Sequence, residues 1–200
     1  MNKSLPNRKS VRLKGYDYST PGYYFVTVCT HDRGHLFGKI DNGQMVLNEY
    51  GKILWEEWDK SFELRRELVR DEFVAMPNHF HGIVQIVVTH GRASLLQQRN
   101  NITPKRNGIA YRTPKSLSSF MAGVKSAITK RINQHRNTPG LRVLQYRFHD
   151  HIIRNENELF RIRQYIINNP VNWQTDKMNR QDKNKIREIS ADYGEEPWMI

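Results

Sequence analysis

The chain has 200 residues, of which 38% are hydrophobic, and a formal net charge of +12. This length suits one domain with its own core, and the single cysteine, Cys29, excludes an intrachain disulfide framework and a zinc ribbon. The first ten residues are basic and lack the apolar stretch of a secretory signal, and no apolar run approaches the length of a membrane span. We therefore expect a soluble cytoplasmic protein that makes no use of a membrane.

The positive charge lies in the middle of the chain. Residues 73–149 contain 12 Lys and Arg and no Asp or Glu, whereas the segments before and after are nearly balanced. A basic solvated loop would explain only part of this block. A polyanionic partner explains all of it, and nucleic acid is the commonest such partner.

The first half of the chain predicts strands around one helix. Residues 1–22 are basic and predict an arm, and YYFVTVCT at 23–30 has the β-branched and aromatic composition of a strand. Asp-Asn-Gly at 41–43 predicts a hairpin turn between two short strands. Asn48 then predicts the N-cap of a helix that continues to about Leu68.

The stretch MPNHFHGIVQIVV, residues 76–88, predicts a buried strand that pairs antiparallel with a strand over 69–76. Side chains two residues apart leave the same face of a strand, so His79 and His81 are directed at one point. Phe80 is directed at the opposite face, where we expect the core. Two imidazoles placed in this way supply two ligands of a three-ligand metal site. The alternative is two polar residues at the solvated end of a strand.

The second half of the chain begins with a segment that has no hydrophobic periodicity. Residues 89–113 are rich in Arg, Asn and Gln and predict a mobile basic loop, and a helix follows over 114–135. A further strand or extended segment is predicted at 143–153, and residues 174–200 predict a peripheral polar tail. The helix has the buried stripe Leu117, Phe120, Met121, Val124, Ile128 and Ile132.

Basic side chains in this half are the candidate nucleic-acid contacts, because lysine and arginine neutralise backbone phosphates. The alternative is that they belong to a solvated loop and to the solvent-facing side of a helix. The candidates are Arg99, Lys105, Arg106, Arg112, Lys115, Lys125, Lys130 and Arg131.

A last helix is predicted between the N-cap Asn155 and Pro170, which ends it. At 100° per residue Tyr165 lies about 60° from Ile162, on the margin of the buried stripe. Asn169 is one turn further and shares the face of Tyr165. A phenol and a carboxamide therefore emerge together at the edge of the core. The alternative is an ordinary amphipathic tyrosine followed by a C-terminal cap. The buried stripe is Leu159, Ile162 and Ile166.

The order strand, helix, strand, strand, helix, strand, with one more helix, predicts an α+β fold over residues 23–173. This is the ferredoxin-like split βαβ arrangement, in which an antiparallel sheet carries helices on one face. The histidine pair is directed either to the open face or into a layer with the last helix.

Several of these segments resemble a known family. NHFH before an apolar strand resembles the histidine–hydrophobic–histidine (HUH) motif of single-strand nucleases. RFHDHIIRNENELFRIRQYIINNPVNW resembles the region around the catalytic tyrosine of the single-tyrosine transposases, and most of all the REP-associated tyrosine transposases. RKSVRLKGYDYSTPGYYFVTVCT and TPKSLSSFMAGVKSAITKRIN are also similar to this family, so the resemblance covers roughly residues 8–175.

The resemblance implies roles for four residues. Tyr165 would be the nucleophile, and His79 and His81 would bind a divalent metal, Mg²⁺ or Mn²⁺. The third ligand of the family would be Asn169, where the insertion-sequence branch has a Gln. Rolling-circle initiators and relaxases usually add a third histidine nearby, and no histidine matching that pattern is present.

The expected function is that of a metal-dependent single-stranded DNA endonuclease and strand transferase that recognises hairpin DNA and forms a 5′-phosphotyrosine intermediate. One alternative is a domesticated hairpin-binding protein without turnover, and another is a structured-RNA binder. Nothing resembles a phosphate-binding P-loop, so no nucleotide cofactor is expected. We also expect a monomer rather than a homodimer, associated with the nucleoid.

Overall fold

A computed structural model describes residues 12–13, 15–88 and 113–179. The described residues form six strands and three α-helices, joined to two short 3-10 turns after the last helix. The strands are β1 (Gly22–Cys29), β2 (Gly38–Asp41), β3 (Gln44–Leu47), β4 (Leu68–Met76), β5 (His79–Ile86) and β6 (His149–Ile153). The helices are α1 (Glu49–Glu63), α2 (Leu117–His135) and α3 (Glu156–Asn168).

The main sheet has the strand order β4-β5-β1-β6, and each neighbouring pair is antiparallel. This order follows from two split βαβ units. The first unit is β1, α1 and β4, and β5 lies between its two strands. The second unit is β5, α2 and β6, and β1 lies between its two strands. The predicted ferredoxin-like α+β fold is thus confirmed. The hairpin of β2 and β3 is also present, with Asn42 and Gly43 at positive φ in its turn.

The larger core lies between the sheet and helices α1 and α2. The predicted stripe of α2 is buried throughout, and Phe80 of β5 is fully buried against it, as expected. Trp58 of α1 packs on Phe80 and Phe120. Gly82 permits this contact, because a Cβ atom there would lie 2.5 Å from the Trp58 ring.

The second face of the sheet is covered by α3. Leu159, Ile162 and Ile166 form a smaller cluster with Phe25 and Ile83, which confirms the predicted stripe of α3. Side chains that alternate with Phe80 along β5 therefore point toward α3. The histidine pair faces the layer of the last helix, and this decides between the two directions that the sequence left open.

Several element bounds differ from the predictions. Helix α1 ends at Glu63, because the chain turns at Leu64 and Arg65. Leu68 is the first residue of β4, and its side chain is buried as part of that strand. Helix α2 begins three residues later than expected, since the Ser116 side chain caps it by accepting from the Ser119 amide. Only the last five residues of the expected 143–153 strand pair with β1, and Leu144 makes an isolated bridge to Thr30.

The ends of the described chain also pack more closely than expected. Tyr18, assigned to the basic arm, is buried in the larger core, and Tyr16 packs against that core. Two residues of the predicted peripheral tail reach the region of the histidine pair: Asp176 lies 4.0 Å from His79, and the Met178 carbonyl accepts from Asn78. No helix in the described part of the chain is long and apolar enough to cross a bilayer. Most of the predicted basic loop, residues 89–112, lies outside the described residues.

Candidate active site

The histidine pair is buried beneath α3. His79 is 0% and His81 2% exposed, so these side chains are not at a solvated strand end. Both rings point to the same side of β5, and their Nε2 atoms lie 3.1 Å apart. The spacing predicted from strand geometry is therefore present, but in a closed layer of the protein.

Asn78 determines which nitrogen of His79 carries a proton. The Asn78 amide group donates to the backbone carbonyls of Arg33 at 3.1 Å and Met178 at 2.8 Å. Its oxygen is therefore left to accept, and it lies 2.7 Å from Nδ1 of His79. Because Nδ1 holds the hydrogen, Nε2 of His79 presents a lone pair toward His81.

The tautomer of His81 is not fixed by its hydrogen-bond partner. Its Nδ1 lies 2.8 Å from the hydroxyl of Thr27, which can either donate or accept a hydrogen bond. Either tautomer of His81 is thus satisfied, so Nε2 can carry a hydrogen or present a second lone pair. The two imidazoles can share one hydrogen or direct two lone pairs at one cation.

Burial keeps both rings neutral. It is the main cause that lowers the pKa of His79 well below its usual value, helped by the nearby His81 and Arg33. Burial also lowers the pKa of His81 to about 3, with a further contribution from His149 on the same face of β6. Neutral imidazole is the form that binds metals.

Tyr165 joins this pair from α3. Its hydroxyl lies 3.3 Å from Nε2 of His81, and its ring meets the rings of His81 and Phe25 edge-on. The position at the margin of the buried stripe, which the sequence predicted, places the phenol between the core and solvent. The structure thus brings Tyr165 and the two histidines together.

An ion pair fixes the position of α3 on the sheet. A β-bulge in β4 between Arg70 and Phe73 contains Asp71, whose carboxylate accepts from Arg163 at 2.5 and 2.9 Å. Burial alone would raise the pKa of Asp71, but the hydrogen bonds from Arg163 and from the Glu72 amide lower it. Arg163 is two residues from Tyr165, so this pair anchors the helix segment that carries the phenol.

The spacing of the two histidines fits a divalent cation. Two nitrogens bound to one ion at about 2.1 Å lie about 3.0–3.4 Å apart, and the two Nε2 atoms fall within this range. Asn169 is 3% exposed, and its side-chain oxygen has no hydrogen-bond partner among the described residues. A buried amide oxygen without a partner is an available ligand. In the described ranges, no three His, Cys, Asp or Glu side chains are grouped as a ready-made metal centre.

The chain after α3 closes over this site. The Trp173 ring is buried, with its centroid 6.0 Å from that of His79. Asp176 follows in the next turn, and its Oδ2 atom lies 4.0 Å from Nε2 of His79. Neither residue was singled out as a site residue from the sequence, because both lie far from the histidines along the chain.

The candidate DNA contacts that the structure describes lie on or just before α2. Arg99, Lys105, Arg106 and Arg112 lie outside the described residues. Helix α2, on the opposite face of the sheet from the histidines, carries three others. Lys125 donates to the carbonyls of residues 145 and 146, Lys130 is exposed, and Arg131 pairs with Glu56 and Glu57. Lys115 is exposed just before α2.

The partners of the histidine rings were also not predicted from the sequence. Asn78 is next to His79 in the chain, and this adjacency was the only available signal. Thr27 is opposite His81 in the register of β1 and β5, a pairing that is visible only in the folded sheet.

Comparisons with known proteins identify a relative of this chain and a solved structure with a similar fold. No protein-family model matches the chain. An uncharacterised protein of Haemophilus influenzae is 36% identical over 179 residues, which cover 88% of this chain and 96% of that protein. A solved structure of a REP-associated tyrosine transposase bound to a REP hairpin aligns with a TM-score of 0.52 and 20% identity, over 80% of this chain and 72% of that one. The chain therefore belongs to one family with the Haemophilus influenzae protein and has the fold of a REP-associated tyrosine transposase.

Proposed function

We propose that this protein is a metal-dependent single-stranded DNA endonuclease and strand transferase that recognises hairpin DNA. The observation that carries the proposal is the convergence of three side chains: the Tyr165 hydroxyl is 3.3 Å from Nε2 of His81, which is 3.1 Å from Nε2 of His79. A buried histidine pair with neutral rings has no evident structural need for a phenol at its edge. A nucleophile beside a metal site accounts for all three groups.

The chemistry is a transesterification. Attack by the phenolic oxygen of Tyr165 forms an oxygen–phosphorus bond and breaks the bond between phosphorus and the 3′-oxygen. The phenolic proton leaves to water, and the 3′-oxygen takes up a proton. The products are a 5′-phosphotyrosine and a free 3′-hydroxyl, so the bond energy is retained for later strand joining without a nucleotide cofactor.

Residues of this chain would bind the cation and orient the phenol of Tyr165. His79, His81 and Asn169 would hold the cation, and the cation would polarise the scissile phosphate and offset its charge. The contact with His81 and the Asp71–Arg163 ion pair hold the phenol in one orientation. Since imidazole favours later metals than Mg²⁺, Mn²⁺ should support cleavage at least as well as Mg²⁺.

A groove on the other face offers a place for the DNA backbone. It lies between α2 and residues 139–148, has a volume of about 1110 Å³, and is lined by Lys130 and Arg147. Tyr146 at its rim is 86% exposed, and an exposed aromatic ring beside cationic groups is suited to a stacked base. The solved neighbour is bound to a REP hairpin, which supports a hairpin as the ligand.

One gel tests the proposal. Labelled single-stranded hairpins from the DNA that flanks the gene are incubated with the full-length chain and Mn²⁺, then denatured in SDS. We expect a labelled covalent adduct that is absent in EDTA. Tight hairpin binding without an adduct in any divalent metal would favour the alternative of a binding protein without turnover.

A further inference from the structure

Asp176 has an arrangement that the proposed ligand set does not explain. Its side chain is 9% exposed, and its Oδ1 atom accepts from the Met178 amide at 2.7 Å. This contact fixes the carboxylate, and Oδ2 then has no hydrogen-bond partner in the described part of the chain. This Oδ2 atom lies 4.0 Å from Nε2 of His79.

His79 does not satisfy this oxygen. Asn78 holds the hydrogen of His79 on Nδ1, so Nε2 presents a lone pair rather than a donor. With the Asp176 carboxyl ionised, two lone pairs therefore face each other across a gap of 4.0 Å. A carboxylate oxygen buried without a donor is unfavourable, and a cation between the two atoms removes the conflict.

The separation suits two ligands of one ion. With bonds of about 2.1 Å, neighbouring ligands of an octahedral cation lie about 3.0 Å apart and opposite ligands about 4.2 Å apart. The 4.0 Å between Oδ2 of Asp176 and Nε2 of His79 lies within these limits. The charge also fits, because two neutral imidazoles and an amide leave a divalent ion uncompensated in a buried place, and a carboxylate supplies one negative charge.

We propose that Asp176 is a further ligand of the divalent cation at the histidine pair, so that the segment after α3 completes the metal centre. The inference rests on the proposed metal-dependent function. It assigns the 3-10 turns after α3, which the sequence placed in a peripheral tail, to the active site.

Two variants of the full-length protein test this role. Asp176→Asn keeps an acceptor for the Met178 amide and removes the charge. We expect its Mn²⁺ affinity, measured from the paramagnetic resonance of free Mn²⁺, to fall at least about 10-fold. Asp176→Cys in a Cys29→Ser background should give a thiolate-to-Cd²⁺ charge-transfer absorption that the Cys29→Ser protein lacks. Cys29 is removed because it lies opposite His79 in the register of β1 and β5.

Asp150→Asn is the matched control. Asp150 is a buried carboxylate with one partnerless oxygen in the described part of the chain, but it points to the opposite face of the sheet and pairs with Arg12. Its Mn²⁺ affinity should equal that of the wild type.

An Asp176→Asn variant within two-fold of the wild type, or an Asp176→Cys variant without the Cd²⁺ absorption, overturns the assignment. If the wild type still binds Mn²⁺ and forms the DNA adduct, only this inference fails. A wild type that binds no Mn²⁺ overturns it together with the proposed metal dependence.

Discussion

The side-chain oxygen of Asn78 lies 2.7 Å from Nδ1 of His79 and turns the lone pair of that ring toward His81. The same amide holds Met178, so one side chain connects the tautomer of His79 to the position of the segment after α3. Loss of a group that orients a metal ligand in this way typically lowers metal affinity by about 10–100-fold.

Removal of these orienting groups should weaken metal binding. We expect Asn78→Ala, and the isosteric Thr27→Val beside His81, each to lower Mn²⁺ affinity by roughly 10–100-fold. Titration of free Mn²⁺ measures this directly. Thr30→Val is a suitable comparison, because the Thr30 hydroxyl donates to the backbone carbonyls of Gly34 and Asn78 and to no side chain among the described residues. Affinities of Asn78→Ala and Thr27→Val that match this comparison would contradict the tautomer argument.

Tyr165→Phe should abolish the covalent DNA adduct while hairpin affinity stays within a few-fold of the wild type. The change removes one hydroxyl and leaves the ring against Phe25 and His81. Tyr23→Phe is the matched control, since Tyr23 packs against the same small cluster, and its adduct should persist. Cleavage by the Tyr165 variant would mean that another residue or water is the nucleophile.

His79→Ala and His81→Ala should each remove metal-dependent cleavage and the thermal stabilisation gained with Mn²⁺. Because both rings are buried and hydrogen-bonded, each change should also cost roughly 1–3 kcal/mol of unfolding free energy without metal. Melting curves with EDTA and with Mn²⁺ separate the two effects.

Asn169→Ala should reduce, but not abolish, metal-dependent cleavage and the thermal stabilisation gained with Mn²⁺, because an amide is a weaker ligand than the two imidazoles. A wild type whose melting and cleavage are indifferent to both EDTA and Mn²⁺ would exclude the metal site.

Neutralisation of the basic segment should weaken DNA binding in a salt-dependent manner. In the variant with Arg99, Lys105, Arg106 and Arg112 changed to Ala, each lost phosphate contact should reduce the log–log salt slope by roughly 0.7 for a single strand. A control variant removes four exposed cations of the first third of the chain, and its slope should not change. These are Lys39, Lys52, Lys60 and Arg66. An unchanged slope in the first variant would show a solvated segment that makes no contact with DNA.

The buried histidines should make the metal-free protein sensitive to acid. Their pKa values are lowered in the folded state, so below about pH 6.5 the unfolded chain binds protons that the folded chain does not. Stability should therefore fall as the pH decreases from 6.5 toward 4.5, by up to about 1.4 kcal/mol per pH unit for each histidine, and should be nearly flat above pH 7.

Urea unfolding in EDTA at several pH values measures this slope. His81→Gln should make it shallower by about one proton, whereas His31→Gln, at an exposed position, should leave it unchanged. Equal slopes in all three proteins would mean that His81 does not stay neutral.

The sequence by itself determined the elements and their faces. The alternation along β5 fixed that His79 and His81 share a side opposite Phe80, because strand geometry has a period of two. The helical period likewise placed Tyr165 at the margin of the stripe formed by Leu159, Ile162 and Ile166. Each relationship lies within one strand or one helix, so the sequence of that segment is sufficient to predict it.

Tertiary structure decided what surrounds these groups. Only the register of β1 against β5 brings Thr27 to His81, and only the docking of the chain after α3 brings Asp176 to His79. Burial of the pair, and with it the lowered pKa of both rings, also depends on which layer covers that face of the sheet. Such contacts join residues about 50 to 100 positions apart, where neither periodicity nor composition carries information about distance.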